Sequence, residues 1–317
     1  MKNIERVTCV GAGLIGHSWA TLFAWKGFKV TLHDVSEKSL KYALAKIEEN
    51  LNFLAESGLI NKNPKEIVKN IKLTMDLKEA VEKADYIQES VPERYDVKKK
   101  VFSQIDNVAS PDAIIASSTS TLKMTVIQES VKKPERCIIA HPWNPPHLMP
   151  LVEIIPGKKT SPEVVRETRA FMTSIGKVAV IQKKETVGSI GNRLAAALWR
   201  EAINLVDEGV ADLEDIDKAV SAGPGLRWAI IGPHLSYHLG GGKGGIEYFL
   251  DHLGPAMESR WKSLAKWTTL PSSARKKLIE GIRNYKVLKE KSAEELAKWR
   301  DKKLVEILKI LYAKDDS

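Results

Sequence analysis

The feature that most constrains this chain is a glycine turn near its start. Gly11-Ala12-Gly13-Leu14-Ile15-Gly16 follows directly on a short, apolar, β-rich run, residues 6–10. It leads into a helical pattern from about His17 to Trp25, which Gly27 ends. A second strand-like run, residues 29–33, stops at Asp34. Strand, glycine turn, helix, strand, acid is the order that a dinucleotide site needs. The glycines let the backbone turn tightly and approach a pyrophosphate, and the free N–H groups of the helix start face that anion. Asp34 stands eighteen residues past Gly16. A carboxylate there accepts hydrogen bonds from both ribose hydroxyls and repels a 2′-phosphate, which favours NAD over NADP as the cofactor. Gly11, Gly13, Gly16 and Asp34 are the expected cofactor contacts.

The rest of the chain extends the same pattern. Ser36 caps a long helix with an apolar stripe of Leu40, Leu44, Ile47, Leu51 and Leu54, and Gly58 stops it. Strand-like runs recur at 71–74, 85–87, 113–116 and 137–140, with helical segments between several of them. That alternation predicts a mainly parallel, doubly wound sheet. Two later strands, 151–155 and 177–181, flank a helix begun by Ser161-Pro162-Glu163 and stopped by Gly176. Near Thr186 the character changes to almost pure helix. One helix is expected over 189–208 with Gly209 as its stop, and Asp212 opens the next. Ser292-Ala293-Glu294-Glu295 is a capping box for a terminal helix, with Leu296, Trp299, Leu304, Ile307, Leu308 and Leu311 expected inward. The expected architecture is an α/β Rossmann-type doubly wound sheet over residues 1–186, followed by an all-α C-terminal domain over 187–317. A length of 317 residues suits about two domains.

Composition removes several function classes. The net charge is +9, but the lysines are scattered beside glutamates, as in 286–291, and no aromatics alternate with a basic block. No nucleic-acid partner is expected. No apolar run approaches the ~18 residues of a membrane span, and residues 1–6 lack a signal-peptide core. Cys9 and Cys137 are the only cysteines, too few for a disulfide framework or a metal cluster. The expectation is a cytoplasmic protein with neither metal nor membrane contact. A second glycine cluster, Gly240 to Gly245 around Lys243, lacks a Ser or Thr after the lysine and a strand before it. It reads as a mobile loop over a substrate pocket, not as a phosphate cradle.

The chemistry signal lies in the middle of the chain. Removing a hydride from a carbinol carbon requires that the hydroxyl proton be taken at the same time, and a neutral imidazole suits that task. His141, in Ala140-His141-Pro142-Trp143-Asn144-Pro145-Pro146, follows an apolar strand, at the strand end where open α/β sheets bind ligands. Glu153 interrupts an otherwise apolar strand, 151–155. A carboxylate buried there needs a partner, and an imidazole that becomes imidazolium is one. Residues 117–121, Ser-Ser-Thr-Ser-Thr, place hydroxyls at another strand end, where they either bind a substrate oxygen or form a turn.

Taken together, Gly11-x-Gly13-x-x-Gly16 with Asp34, Val91-Pro92-Glu93, Ser118-Thr119-Ser120, His141-Pro142-x-Asn144-Pro145 with Leu151-Val152-Glu153, and Gly191-Asn192-Arg193-Leu194 resemble the 3-hydroxyacyl-CoA dehydrogenase superfamily. The resemblance covers nearly the whole chain, with the motifs in order. It implies an NAD-dependent oxidoreductase, a Rossmann domain, a helical second domain and a homodimer. It also implies roles: His141 as general base, Glu153 as its partner, Ser120 on the substrate oxygen, and Asn192 holding substrate and nicotinamide. Glu93 and Lys98 match positions that contact the cofactor.

The second domain departs from the CoA-using members. Gly223-Pro224-Gly225-Leu226-Arg227-Trp228-Ala229 resembles the L-gulonate 3-dehydrogenase (lambda-crystallin) and L-carnitine dehydrogenase branch, and 238–247 is closer to the carnitine type. A free 3-hydroxy acid carries a carboxylate near the reacting carbon, and a planar guanidinium can hold it through two parallel hydrogen bonds. Arg227 is the expected clamp. Trp228 either walls the pocket or stacks on a cationic head group. The expected activity is oxidation of the 3-hydroxyl of a small L-3-hydroxy acid, carnitine- or gulonate-like. A 3-hydroxyacyl-CoA dehydrogenase is the alternative within the class, and a non-catalytic NAD(H)-binding structural protein is the alternative outside it.

Overall fold

The computed structural model describes residues 4–312. Two compact units follow each other along the chain, Met1–Arg193 and Leu194–Ser317.

The first unit is built on one eight-stranded sheet in the order β3-β2-β1-β4-β5-β6-β7-β8. Its strands are β1 (Arg6–Val10), β2 (Lys29–His33), β3 (Ile71–Thr74), β4 (Tyr86–Glu89), β5 (Ile114–Ser117), β6 (Cys137–Pro142), β7 (Leu151–Pro156) and β8 (Val178–Ile181). All neighbours pair in parallel except β6 and β7, which are antiparallel. β4, β5 and β6 are buried along their full lengths, as strands covered on both faces must be. The helices are α1 (Leu14–Trp25), α2 (Glu37–Glu56), α3 (Pro64–Val68), α4 (Leu77–Val81), α5 (Tyr95–Val108), α6 (Met124–Ile127) and α7 (Pro162–Ser174). Under α1 an aromatic cluster fills the core: Trp19 stacks on Phe23 at 5.1 Å, and Tyr86 meets Phe171 at 4.7 Å.

Local chemistry explains where these elements begin and end. The hydroxyl of Ser36 accepts the Ser39 N–H at 3.2 Å and caps α2, whose buried side is Leu40, Ala43, Ile47, Leu51 and Leu54. Leu44 is only half-buried, so Ala43 takes its place in the core. α1 starts at Leu14, earlier than the expected His17, because Gly13 itself is the N-cap and the glycine turn supplies the first helical turn. The strand order reverses between β1 and β4, whose neighbours continue in opposite directions. The carboxyl ends of β1, β4, β5 and β6 therefore share one edge of the sheet, with the crevice of such a fold at that reversal.

The second unit is helical. α8 (Ile190–Asp207) carries the chain from one unit to the next, so the units divide after Arg193, inside a helix. α9 (Leu213–Ala222), α10 (Pro224–Ile230), α11 (Pro233–Gly240), α12 (Gly245–Ser263), α13 (Ser272–Asn284), α14 (Lys286–Glu290) and α15 (Ala293–Tyr312) follow. The glycine cluster is no open loop. A short 3₁₀ turn, Gly242–Gly244, joins α11 directly to α12, and the Ile246 N–H donates to His238 Nδ1 at 3.1 Å across it. The capping box of α15 is reciprocal: the Ser292 N–H donates to Glu295 Oε2 at 2.8 Å, and the Glu295 N–H donates to Ser292 Oγ at 3.2 Å. Trp299 and Ile307, expected inward, are exposed on α15, where Val305 is the buried residue. No helix among the described residues is long and apolar enough to cross a membrane.

Candidate active site

The dinucleotide turn is tightly determined. Gly11 has φ of +100°, and a Cβ there would lie 2.7 Å from Ser90 O. A Cβ on Gly16 would lie 1.7 Å from Gly11 O, so α1 packs directly on the turn. Gly13 is the opposite case, with open space where its Cβ would stand. No side chain caps α1, which leaves its first N–H groups free for an anion. Asp34, at the end of β2, holds the turn: its Oδ2 accepts the Ala12 N–H at 2.8 Å and its Oδ1 accepts the Ser36 N–H at 3.0 Å. A carboxylate oxygen accepts more than one hydrogen bond, so Asp34 retains capacity for ribose hydroxyls. The turn fits a dinucleotide with a bare 2′-hydroxyl.

At the ends of β4 and β5 the structure assembles a charged cluster. Lys98, almost wholly buried on α5, donates to Glu89 Oε1 at 2.7 Å and to Val91 O at 3.1 Å, and lies 3.5 Å from Glu93 Oε2. Glu89 is fully buried, and it also accepts from the Ser117 hydroxyl at 2.6 Å and the Val91 N–H at 2.6 Å. A buried pair so fully hydrogen-bonded meets the condition for tolerating its desolvation. Glu93 Oε1 gathers the Thr119 hydroxyl at 2.6 Å and the Ser120 and Thr121 N–H groups at 3.0 Å. Burial works against ionisation of Glu93, but these hydrogen bonds and the Lys98 charge outweigh it and hold its carboxyl below the usual range. Ser120 Oγ is 3.5 Å from Glu93, too far for a firm bond, so its hydroxyl remains available.

His141 and Glu153 are joined by strand register. β6 and β7 pair with His141 opposite Glu153, which puts both side chains on one face. His141 Nδ1 lies 3.1 Å from Glu153 Oε2, with Ser189 Oγ 3.4 Å from the same nitrogen. Trp143 Nε1 donates to Glu153 Oε2 at 3.3 Å, and the Gly191 N–H donates to Oε1 at 2.8 Å. Burial raises the carboxyl's pKa, but these donors overcome it and bring it down to about 2. An ionised carboxylate only accepts, so the shared proton sits on Nδ1, and in the neutral ring Nε2 carries the free lone pair.

Glu93, Lys98, Ser120, His141 and Asn192 all line one cavity of about 490 Å³ in the first unit. Ser90, Ser118, Trp143 and Asn144 complete its polar wall. Asn192 stands in the first turn of α8, half-buried. Arg227 is exposed on α10 of the second unit, and among the described residues it forms no ion pair. Sequence reasoning missed Glu89, Trp143, Ser189 and Gly191. Glu89 left a signal like that of Glu153, a carboxylate in an otherwise buried strand. Gly191 was marked only as part of the motif with Asn192; a Cβ there would stand 2.8 Å from the Trp143 ring. His17, His33 and His147 are buried away from this cavity, and no cluster of metal-ligating side chains occurs among the described residues.

Comparison with known proteins agrees with this architecture. The family model described as 3-hydroxyacyl-CoA dehydrogenase, NAD binding domain, matches residues 6–186, and that of the C-terminal domain matches 188–299. The chain is 39% identical over 310 residues to an L-carnitine dehydrogenase of Bacillus cereus, covering 98% of this chain and 93% of that one. Among solved structures, an NAD+-dependent 5-formyl-3-hydroxy-2-methylpyridine 4-carboxylic acid 5-dehydrogenase superposes with a TM-score of 0.78 at 28% identity, covering 99% and 100% of the two chains. The 3-hydroxybutyryl-CoA dehydrogenase of Escherichia coli K12 gives 0.65 at 31% identity over 75% of this chain and 50% of that one. The chain belongs to the 3-hydroxyacyl-CoA dehydrogenase family and is an NAD-dependent oxidoreductase acting on a secondary alcohol.

Proposed function

We propose that the enzyme oxidises the 3-hydroxyl of a small free L-3-hydroxy acid of the carnitine type to the 3-oxo acid, with His141 as general base. The observation that carries the chemistry is the His141–Glu153 couple, whose Nδ1 proton is committed to an ionised carboxylate. His141 Nε2 takes the hydroxyl proton, and Glu153 offsets the charge that then forms on the ring. Ser120 and Asn192 hold the substrate oxygen. Bound NAD+ supplies the hydride acceptor. Glu93 and Lys98 keep the β4 end of the cavity in place beside the cofactor.

The free-acid reading rests on the full-length similarity to L-carnitine dehydrogenases and on Arg227. Its guanidinium is exposed and unpaired among the described residues, so it is available for a carboxylate. We assign cofactor binding to residues 1–186, and substrate binding and dimerisation to 187–317. Support for a homodimer comes from large apolar side chains left exposed in the second unit, Leu194, Trp199, Trp261 and Ile310 among them. Light scattering at the monomer mass would remove that part of the reading. A cytoplasmic location fits the two buried cysteines, neither of which is in a disulfide.

The test is NADH formation by the purified protein with NAD+ and L-carnitine, L-gulonate, L-3-hydroxybutyrate or L-3-hydroxybutyryl-CoA. The highest kcat/KM on a free acid, L-carnitine first, supports the reading. Turnover of the CoA ester alone overturns the substrate and releases Arg227 from its role.

A further inference from the structure

We propose that the Ser90 hydroxyl is a cofactor-positioning donor, directed by a buried hydrogen-bond chain toward an oxygen acceptor in the nicotinamide-ribose half of NAD. The chain begins in the core. The Tyr86 hydroxyl donates to Gln88 Oε1 at 2.8 Å, and Gln88 Nε2 donates to Ala140 O at 3.2 Å and to Ser118 Oγ at 2.8 Å. A carbonyl oxygen only accepts, so the Ala140 contact sets which end of the Gln88 amide is nitrogen. Trp19 Nε1, which only donates, also reaches Ser118 Oγ, at 3.2 Å. Two N–H groups thus use both lone pairs of Ser118. Among the described residues its own proton has one remaining partner, Ser90 Oγ at 2.9 Å. Ser90 therefore accepts from Ser118, and its own O–H proton has no partner among the described residues.

The place of that proton selects its acceptor. Ser90 lines the same cavity as His141. Its N–H donates to Val10 O at 2.7 Å, and its Cβ lies 3.8 Å from where a Gly16 Cβ would stand. It sits at the end of β4, beside β1, at the reversal of strand order. That is between the pyrophosphate turn and the imidazole, the stretch that the nicotinamide-side ribose and phosphate cross. Tyr86, Gln88 and Ser118 are positioning residues acting through Ser90, whose proton this chain leaves for an acceptor in the cavity.

The test compares Ser90→Ala and Ser90→Thr with wild type, measuring Kd for NADH and, separately, for 5′-AMP, which carries only the adenosine half. Ser90→Ala should weaken NADH by about fivefold or more, the loss of one hydrogen bond, while 5′-AMP binds as before. Ser90→Thr should restore NADH binding. A smaller loss for NADH, or a parallel loss for 5′-AMP, overturns the proposal, because the second would mean a disturbed turn. Gln88→Met tests the relay: combined with Ser90→Ala it should weaken NADH no further than Ser90→Ala alone. An additive loss would show that Gln88 does not act through Ser90. If Gln88→Met fails to fold, the Ser90 pair still decides.

Discussion

Replacing Glu153 with Gln removes one charge and reverses one dipole in a site built for an anion. His141 Nδ1 and Trp143 Nε1 reach Oε2 at 3.1 and 3.3 Å, and the Gly191 N–H reaches Oε1 at 2.8 Å. All are donors, so a glutamine NH₂ must face an N–H whichever way it turns. With its oxygen toward His141, the buried mismatch at Gly191 costs about 1–3 kcal/mol of stability. The catalytic loss is separate. As His141 accepts the substrate proton, a charge-assisted bond worth about 2–3 kcal/mol is no longer available. Glu153→Gln should therefore lower kcat by roughly 30- to 150-fold while NADH binding stays near wild type. The assay is steady-state NADH formation beside an NADH titration and a thermal melt. A kcat within about threefold of wild type, from a folded variant, would refute the coupling. The pH dependence carries its own sign. The carboxyl pKa falls from 4.5 unfolded to about 2 folded, so the stabilisation is complete above pH 4.5 and is lost as pH falls through about 2. The acid-unfolding profile of Glu153→Gln should be flatter across that window.

Three further outcomes follow from other residues. Gly13→Ala should fold normally yet bind NADH more weakly, because its Cβ enters open space at the cofactor turn, whereas Gly16→Ala should also lower Tm, its Cβ being 1.7 Å from Gly11 O. Equal melts for the two would contradict the packing argument. Lys177 is buried, with its ammonium on Pro146 O and Met149 O; burial, then the Lys26 charge, lower its pKa from 10.5 to about 7. The unfolded chain then binds the extra proton between those values, so wild-type stability should gain a rising component from pH 7 toward 10.5 that Lys177→Met lacks in chemical denaturation. Arg227→Ala should raise KM for a free 3-hydroxy acid far more than for a CoA ester, and equal effects would remove the clamp.

Much of the first unit was legible because its rules are local. Caps at Ser36 and Ser161 and the strands around the glycine turn depend on neighbours in sequence, and they stand where the spacing put them. The pairing of His141 with Glu153 was legible in kind, since a carboxylate among Val and Ile demands a partner. Its geometry was not, because it depends on β6 and β7 running antiparallel with those two residues in register. Trp143, Ser189 and Gly191 come together only through that fold, and their own segments do not show that they meet Glu153 or His141. Trp299 and Ile307 fit a 3.6-residue stripe, but a stripe does not say what covers it. Gly240 to Gly245 read as a loop from composition, whereas the backbone winds it into one short turn between helices.

The central claim is that His141 moves the proton at an NAD-binding site that stands without it. The direct measurement is His141→Ala, assayed for NADH binding and for turnover of L-carnitine or whichever acid the wild type prefers. Unchanged NADH affinity with turnover reduced by about 10²-fold or more is the predicted result. Near-normal turnover in that variant would contradict the mechanism, whatever the substrate proves to be.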